Sequence, residues 1–327
     1  MNVLIVTNVY PTKEHPYHGI FVYEQVQAIK RLHPDVNFVV YYINGFGDKW
    51  QYMKSILGVA KKINKGNYDL VHIHYGLAGM YHLNPFLKHL PTITTFHGSD
   101  IQPKGGNGKL SVFVSRIAAK HSDVAVILND DMESLVKPYC STIYMVPCAV
   151  NLQTFKPLEK TEVHDKVQIV FPSNHERQVK NYSLFCETLE ILKQKYNIDA
   201  EERELKNMTR QQIAQLYSNS DLLLMTSKSE GSPQAVKEAM CCNLPCVSTP
   251  VGDVKVLLEG VKDSFVSKEH NAEELAQLVA ESILHKKNGL LGRDKIIQLQ
   301  LDEDSVANKI YDLYRSVIGV KNNVKTN

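Results

Sequence analysis

Short apolar runs alternate with amphipathic stretches along nearly the whole chain, and the alternation restarts once. Residues 3–7, 36–42, 70–74, 92–96, 123–127 and 143–146 form short runs dominated by β-branched and other apolar residues. Between them, residues 21–32, 108–119 and 131–136 carry apolar residues at helical spacing. A strand that is apolar at almost every position is covered on both faces, so the pattern predicts parallel strands flanked by helices. That is a doubly wound α/β unit. Residues 147–165 interrupt it with Pro147, Pro157 and several charges, which reads as a linker. The alternation then resumes, with strands predicted at 168–171, 221–225, 245–248 and 264–266. Helices are predicted at 182–195, 209–217, 234–241, 272–285 and 305–318.

The expected organisation is therefore two α/β units, 1–150 and 151–304, followed by a helix at 305–320. Two such units would face each other across a cleft, with strand carboxyl ends directed to it. At 327 residues and 43% hydrophobic content the chain can bury two cores. A net charge of +2 gives no indication of nucleic-acid binding. The charge is uneven, with 14 basic and 10 acidic residues in 1–150 against 23 and 25 afterwards. That asymmetry fits either an anionic surface or acceptor near the first half, or ordinary scatter. The six cysteines show no zinc-ligand spacing, and Cys241 and Cys242 are adjacent, which suits a reducing compartment. The first residues lack the basic lead and apolar core of a signal peptide, and no stretch approaches the length of a membrane span. A cytoplasmic location follows as an expectation, with peripheral contact at the inner face of the membrane as a possible addition.

The densest chemistry lies in Glu230-Gly-Ser-Pro-Gln-Ala-Val-Lys-Glu238. Ser232 is a good helix N-cap, and Pro233 suits a first helical position. Glu230 would then sit in the loop before a helix, and Glu238 inside it. First-turn amides near Gln234 and Ala235 would form an anion site between the two carboxylates. Carboxylates beside a phosphate cradle suit a ligand with both hydroxyls and phosphates, such as a nucleotide-sugar. Taken alone, two glutamates at one spacing are common and carry little weight.

This segment, continued by Ala239-Met-Cys-Cys-Asn-Leu-Pro-Cys-Val-Ser-Thr-Pro-Val-Gly-Asp253, resembles the family-four retaining glycosyltransferases. The resemblance extends over nearly the whole chain and is strongest to bacterial enzymes of surface-polysaccharide or teichuronic-acid assembly. It implies the GT-B fold, two Rossmann-like domains facing across a cleft, with the C-terminal helix packed back on the first. It also implies that Glu230 contacts donor-sugar hydroxyls and that Glu238 grips the nucleotide ribose. Arg177 and Lys180, in Ser173-Asn-His-Glu-Arg-Gln-Val-Lys-Asn181, resemble the family's cations for the donor diphosphate. They are closer in sequence than in many relatives, and the plain alternative is a solvated basic turn. His97, in Thr95-Phe-His-Gly-Ser-Asp100, matches the family's histidine facing the donor sugar; otherwise it is a satisfied core histidine. Asp100 would contact the acceptor or hold the loop. Gly19 matches a family glycine whose amides approach the donor, or is simply a cap glycine. His72 and His74 read as packing residues.

The chain also departs from the family. The nucleobase would pack near Asn207-Met-Thr209, yet the Gly-Asp-Gly-Pro loop of many relatives is missing there. Asp302-Glu-Asp304 is formally a metal-type Asp-x-Asp, but acids at a helix start complement the dipole; no metal and no other cofactor is expected. No residue stands out as a carboxylate nucleophile. The resulting expectation is a retaining transferase moving sugar from a nucleotide-diphosphate sugar, most simply UDP-linked, to a glycan or lipid-linked acceptor. The alternatives are a nucleotide-sugar epimerase of the same fold and a non-catalytic nucleotide-sugar sensor.

Overall fold

A computed structural model describes residues 1–45, 47–102, 108–285 and 288–324. The chain divides into two compact units, Met1–Ala149 with Glu303–Asn327, and Val150–Asp302.

In chain order the first unit contains β1 (Asn2–Thr7), α1 (Ile20–Leu32), β2 (Asn37–Tyr42), α2 (Trp50–Lys65), β3 (Leu70–His74) and a 3₁₀ segment (Gly76–Leu83). It continues with β4 (Thr92–Thr95), α3 (Gly108–Lys120), β5 (Val124–Ile127), α4 (Glu133–Val136) and β6 (Ile143–Met145). Its sheet is parallel, ordered β2-β1-β3-β4-β5-β6. The second unit contains β7 (Val167–Phe171), α5 (Tyr182–Tyr196), β8 (Ala200–Glu204), α6 (Arg210–Asn219), β9 (Leu222–Met225) and α7 (Gln234–Cys241). After these come β10 (Cys246–Ser248), α8 (Val254–Leu258), β11 (Phe265–Val266), α9 (Ala272–Leu284) and α10 (Gly292–Gln298). Its parallel sheet runs β11-β10-β9-β7-β8. The last helix, α11 (Glu303–Val324), packs against α1 within the first unit.

The continuous apolar strands have the predicted cause. On β1, Val3 and Ile5 join the cluster that includes Val22, Ile29 and Tyr314, while Leu4 and Val6 join Val59, Ile63 and Tyr81 on the opposite face. On the second sheet, Leu223 and Met225 pack with Val236 and Met240, whereas Leu222 and Leu224 pack with Phe185 and Val279. Each strand thus buries alternate residues in separate layers.

The alternation does not predict α2, β8, the 3₁₀ segment, α8 or α10, and two of these show why. β8, Ala-Glu-Glu-Arg-Glu, lies at a sheet edge and is only partly buried, so it needs no apolar run. Helix α2 buries Ser55, Val59, Ala60 and Ile63 yet also exposes Trp50, Met53 and Leu57, which blurs the single apolar stripe expected of a surface helix. The segment read as a linker is also more embedded than its composition suggests. Val150 donates to Leu301, Phe155 is fully buried, and Thr161 bonds Asn219, so from Val150 onward it belongs to the second unit.

Candidate functional site

In the second sheet the chain reverses direction of growth between β7 and β9, which are paired neighbours although not consecutive strands. Ligands of open α/β sheets bind beyond strand carboxyl ends at such a switch point. The loops leaving these two strands carry the charged candidates. Lys180 ends a 3₁₀ turn, Gln178–Lys180, before α5, and its Nζ lies 2.6 Å from Glu230 Oε1. Both side chains are largely buried. The backbone also fixes this pairing, because Thr226 Oγ1 donates to the Lys180 carbonyl and Lys228 N to Val179 O. Arg177 is on the same loop but exposed.

The loop is braced from below by groups that carry no motif signal. His175 bonds Glu202 and stacks on Tyr182 at 3.8 Å, and the Tyr182 hydroxyl donates to the other Glu202 oxygen at 2.7 Å. Glu202 lies on β8, the edge strand without an apolar run, which explains its acidic composition.

At the helix start the sequence-based capping expectation is corrected. Pro233, not Ser232, occupies the N-cap position, and α7 begins at Gln234. Ser232 Oγ instead donates to Asp253 Oδ2 at 2.6 Å and accepts from Lys237 Nζ at 3.0 Å. Lys237 is fully buried, so this chain compensates an ammonium inside the core. Burial pushes the Asp253 carboxyl upward, partly offset by Lys237. Gly252, with φ 54°, lies against this loop: a Cβ there would come within 2.6 Å of the Gly231 carbonyl oxygen. The amides of Gln234 and Ala235 belong to the first turn, ahead of the i−4 bonding of the helix. Glu238 is buried and pairs separately, its Oε1 accepting from Arg210 Nη1 at 3.0 Å. Burial raises the Glu238 carboxyl from its ordinary range, opposed by Arg210 and Lys237. The Arg210 guanidinium lies over the Phe155 ring at 4.7 Å. Arg210 is the first residue of α6, whose start is fixed by a capping box between Thr209 and Gln212. The box is readable in sequence; the partner of Arg210 is not. Asn207 precedes this start in a left-handed conformation, φ 55°.

In the first unit the corresponding switch point lies between β1 and β3. Here the candidates are aromatic and largely neutral. His97 Nε2 is 3.3 Å from His74 Nδ1, its Nδ1 is 3.7 Å from Cys148 Sγ, and the ring stacks on Tyr75. Burial holds His74 down to about 3 and His72 well below its ordinary value, so both are neutral at physiological pH. His72 is satisfied by Tyr314 Oη and Thr95 Oγ1. Tyr75 has φ 66°, a strained conformation for an aromatic residue, held by the hydrogen bond its backbone N–H donates to Thr95 O at 3.0 Å. Asp100 is completely buried; its oxygens accept from His97 N at 3.0 Å and Gly76 N at 2.8 Å. Burial raises it to about 6 despite those donors. These bonds tie Asp100 to the loop backbone, and a direct acceptor contact is not what this burial favours. Gly19 is the N-cap of α1 with φ 69°, and a Cβ would come within 2.5 Å of the Val9 backbone. Its smallness is thus demanded by the chain's own packing. At the Asp-x-Asp, Glu303 and Asp304 lie in the first turn of α11, and Asp304 pairs with Arg31.

Comparison with known proteins agrees with this division. A model described as Glycosyltransferase Family 4 matches residues 4–154, and one described as Glycosyl transferases group 1 matches residues 186–290. The chain is 22% identical over 337 residues to N-acetyl-alpha-D-glucosaminyl L-malate synthase of Bacillus anthracis, covering 89% of this chain and 86% of the relative. It is 21% identical to TuaC of Bacillus subtilis, named for teichuronic acid biosynthesis, covering 97% and 99% of the two chains. The crystal structure of Anabaena HepE in complex with UDP and glucose superposes with a TM-score of 0.71 at 14% identity, covering 97% and 100%. Matched in chain order over both α/β units, this protein belongs to the family-4 and group-1 glycosyltransferases of GT-B fold.

Proposed function

We propose that this glycosyltransferase moves a sugar from a UDP-sugar to a glycan or lipid-linked acceptor of cell-surface polysaccharide synthesis, with retention at the anomeric carbon. The observation that carries the reading is the Lys180–Glu230 pair, 2.6 Å apart at the switch point of the second unit. The UDP and glucose bound by Anabaena HepE, a protein of like fold, support the choice of donor. The teichuronic acid for which TuaC is named supports the class of pathway.

Lys180 and Arg177 balance the negative charge that grows on the leaving diphosphate, aided by the first-turn amides at Gln234 and Ala235. Glu230 accepts hydrogen bonds from donor-sugar hydroxyls, and Glu238, oriented by Arg210, accepts from the ribose diol. The Asn207 loop packs the base, and Gly19 brings the α1 amides near the donor. His97 takes a sugar hydroxyl, with Asp100 holding its loop. A carboxylate already bound to an ammonium is a poor nucleophile, which favours a front-side route over a covalent sugar–enzyme intermediate. The bond from the anomeric carbon to the diphosphate oxygen breaks with its electron pair leaving on the diphosphate. The acceptor hydroxyl oxygen forms the new bond on the same face, and its proton passes to the departing diphosphate oxygen. With cationic side chains serving the diphosphate, turnover is proposed to need no divalent metal.

The test is UDP release by the purified chain, with and without acceptor, in the presence and absence of EDTA. Expected are acceptor-dependent release, insensitivity to EDTA, and a product whose anomeric proton coupling matches the donor configuration. Interconversion of donor sugars without acceptor would identify an epimerase instead, and binding without turnover a sensor.

A further inference from the structure

The exposed residues of α2 form one continuous stripe: Trp50, Met53, Lys54, Leu57, Lys61, Asn64 and Lys65. Their spacing, three, four or seven residues apart, places them on one side of the helix. Trp50 and Leu57 are each 71% exposed and Met53 52%, although the opposite side of the same helix already supplies its packing face. Helix α3 repeats the arrangement, with exposed Lys109, Leu110, Phe113, Arg116 and Lys120. Both helices pack on the 3₁₀ segment between them. A groove of about 720 Å³ lies at this place, lined by Trp50, Met53, Leu77, Met80 and Leu110. At the far end of α2, Asn64 holds the loop carrying Phe86, which is 84% exposed.

Basic residues predominate on this surface, where Asp48, just ahead of α2, pairs with Lys54 at 3.9 Å. Helices α2 and α3 together contain seven lysines and arginines and no carboxylate. Exposed Lys54 and Lys109 lie among the apolar side chains, and past Leu57 and Phe113 the exposed residues of the two helices are Lys61, Asn64, Lys65, Arg116 and Lys120. Such a face, with apolar side chains flanked by lysines on flexible stems, fits the boundary between lipid headgroups and acyl chains. A second copy of the chain would bring cations against cations, and a nucleic acid would leave the apolar stripe without a partner.

We propose that the α2–α3 face docks on an anionic lipid bilayer, with Trp50, Met53, Leu57, Leu110 and Phe113 entering the interface and the basic residues meeting headgroup phosphates. The inference rests on the proposed function in one respect, since a lipid-linked acceptor is what would bring the enzyme to a bilayer. Its test requires neither donor nor acceptor, so the two can fail separately.

The experiment is co-sedimentation of the full chain with vesicles of phosphatidylglycerol and phosphatidylethanolamine, and with vesicles of phosphatidylcholine alone. The wild type is expected to partition to the anionic vesicles, weakly to the neutral ones, and less at high salt. The combined Trp50→Ser, Met53→Ser and Leu57→Ser variant is expected to lose at least about tenfold in partitioning while keeping its thermal midpoint, because these side chains are exposed. The Lys61→Glu, Lys65→Glu variant should lose binding to anionic vesicles selectively. Wild-type protein that ignores anionic vesicles, or a serine variant that binds as well as wild type, would overturn the proposal. So would a concentration-dependent dimer abolished by the serine substitutions, which would make the face a self-association surface.

Discussion

The two units share a strand order around their switch points but equip those points with opposite chemistry. In the second unit the loops and the helices that follow them carry charges held in pairs, Lys180 with Glu230 and Arg210 with Glu238, plus a buried Lys237 joined through Ser232 to Asp253. In the first unit the same topological place holds neutral histidines, stacked aromatic rings and one buried carboxyl whose partners are backbone amides. The contrast teaches that strand topology selects where a ligand binds, while the loop side chains decide what sort of ligand. Fixed ion pairs suit a group of fixed charge such as a diphosphate. Neutral donors and rings suit sugar hydroxyls and faces.

The sharpest way to break this comparison is to remove one charge from the second unit. Lys180→Ala is expected to lower kcat by about 10²–10³ with the fold intact, read from steady-state rates beside circular dichroism. Near-normal turnover would remove the electrostatic role assigned to that unit.

A second measurement addresses the buried network. Asp253→Ala removes the carboxylate that Ser232 joins to the Lys237 ammonium and should cost about 3 kcal/mol of unfolding free energy in urea titrations. Replacing both, Asp253→Ala with Lys237→Met, should cost less than Asp253→Ala alone, because the buried ammonium is removed together with the carboxylate that answers it. Equal losses in the single and double variants would mean that the lysine contributes packing only.

The smallest expected effect lies in the first unit and depends on pH. His74 is depressed from 6.5 to about 3, so its stabilising neutral form is fully present above pH 6.5 and its contribution declines as pH falls. Asp100 is raised from 3.8 to about 6, so the folded state binds a proton before the unfolded one, and stability rises as pH falls through that window. Each slope is at most about 1.4 kcal/mol per pH unit. His74→Gln should therefore flatten the loss of stability on acidification, and Asp100→Asn should steepen it, relative to wild type. Urea midpoints at a few pH values between neutral and about 4 test both signs together.

Much of the frame was readable from local pattern. Apolar runs marked the two cores because doubly covered strands need apolar residues on both faces, as the split of Val3 and Ile5 from Leu4 and Val6 shows. The glutamates at 230 and 238 were readable because a helix start lies between them. Edge strand β8 was not readable, since an edge can be acidic, and its Glu202 serves a histidine and a tyrosine instead of a core. Helix α2 was obscured by the same outward Trp50, Met53 and Leu57 that mark its exposed face.

The sequence by itself determined two α/β units, their strand–helix alternation and the residue types at the charged loops, because each of these depends on neighbours a few positions away. Only the tertiary structure decided the pairings: Lys180 with a glutamate fifty positions on, Arg210 with Glu238, Ser232 turned from capping a helix to joining Lys237 and Asp253. Charges buried together must find partners wherever the sheet brings the loops side by side, and the order of strands in a sheet is not written in any one stretch of chain.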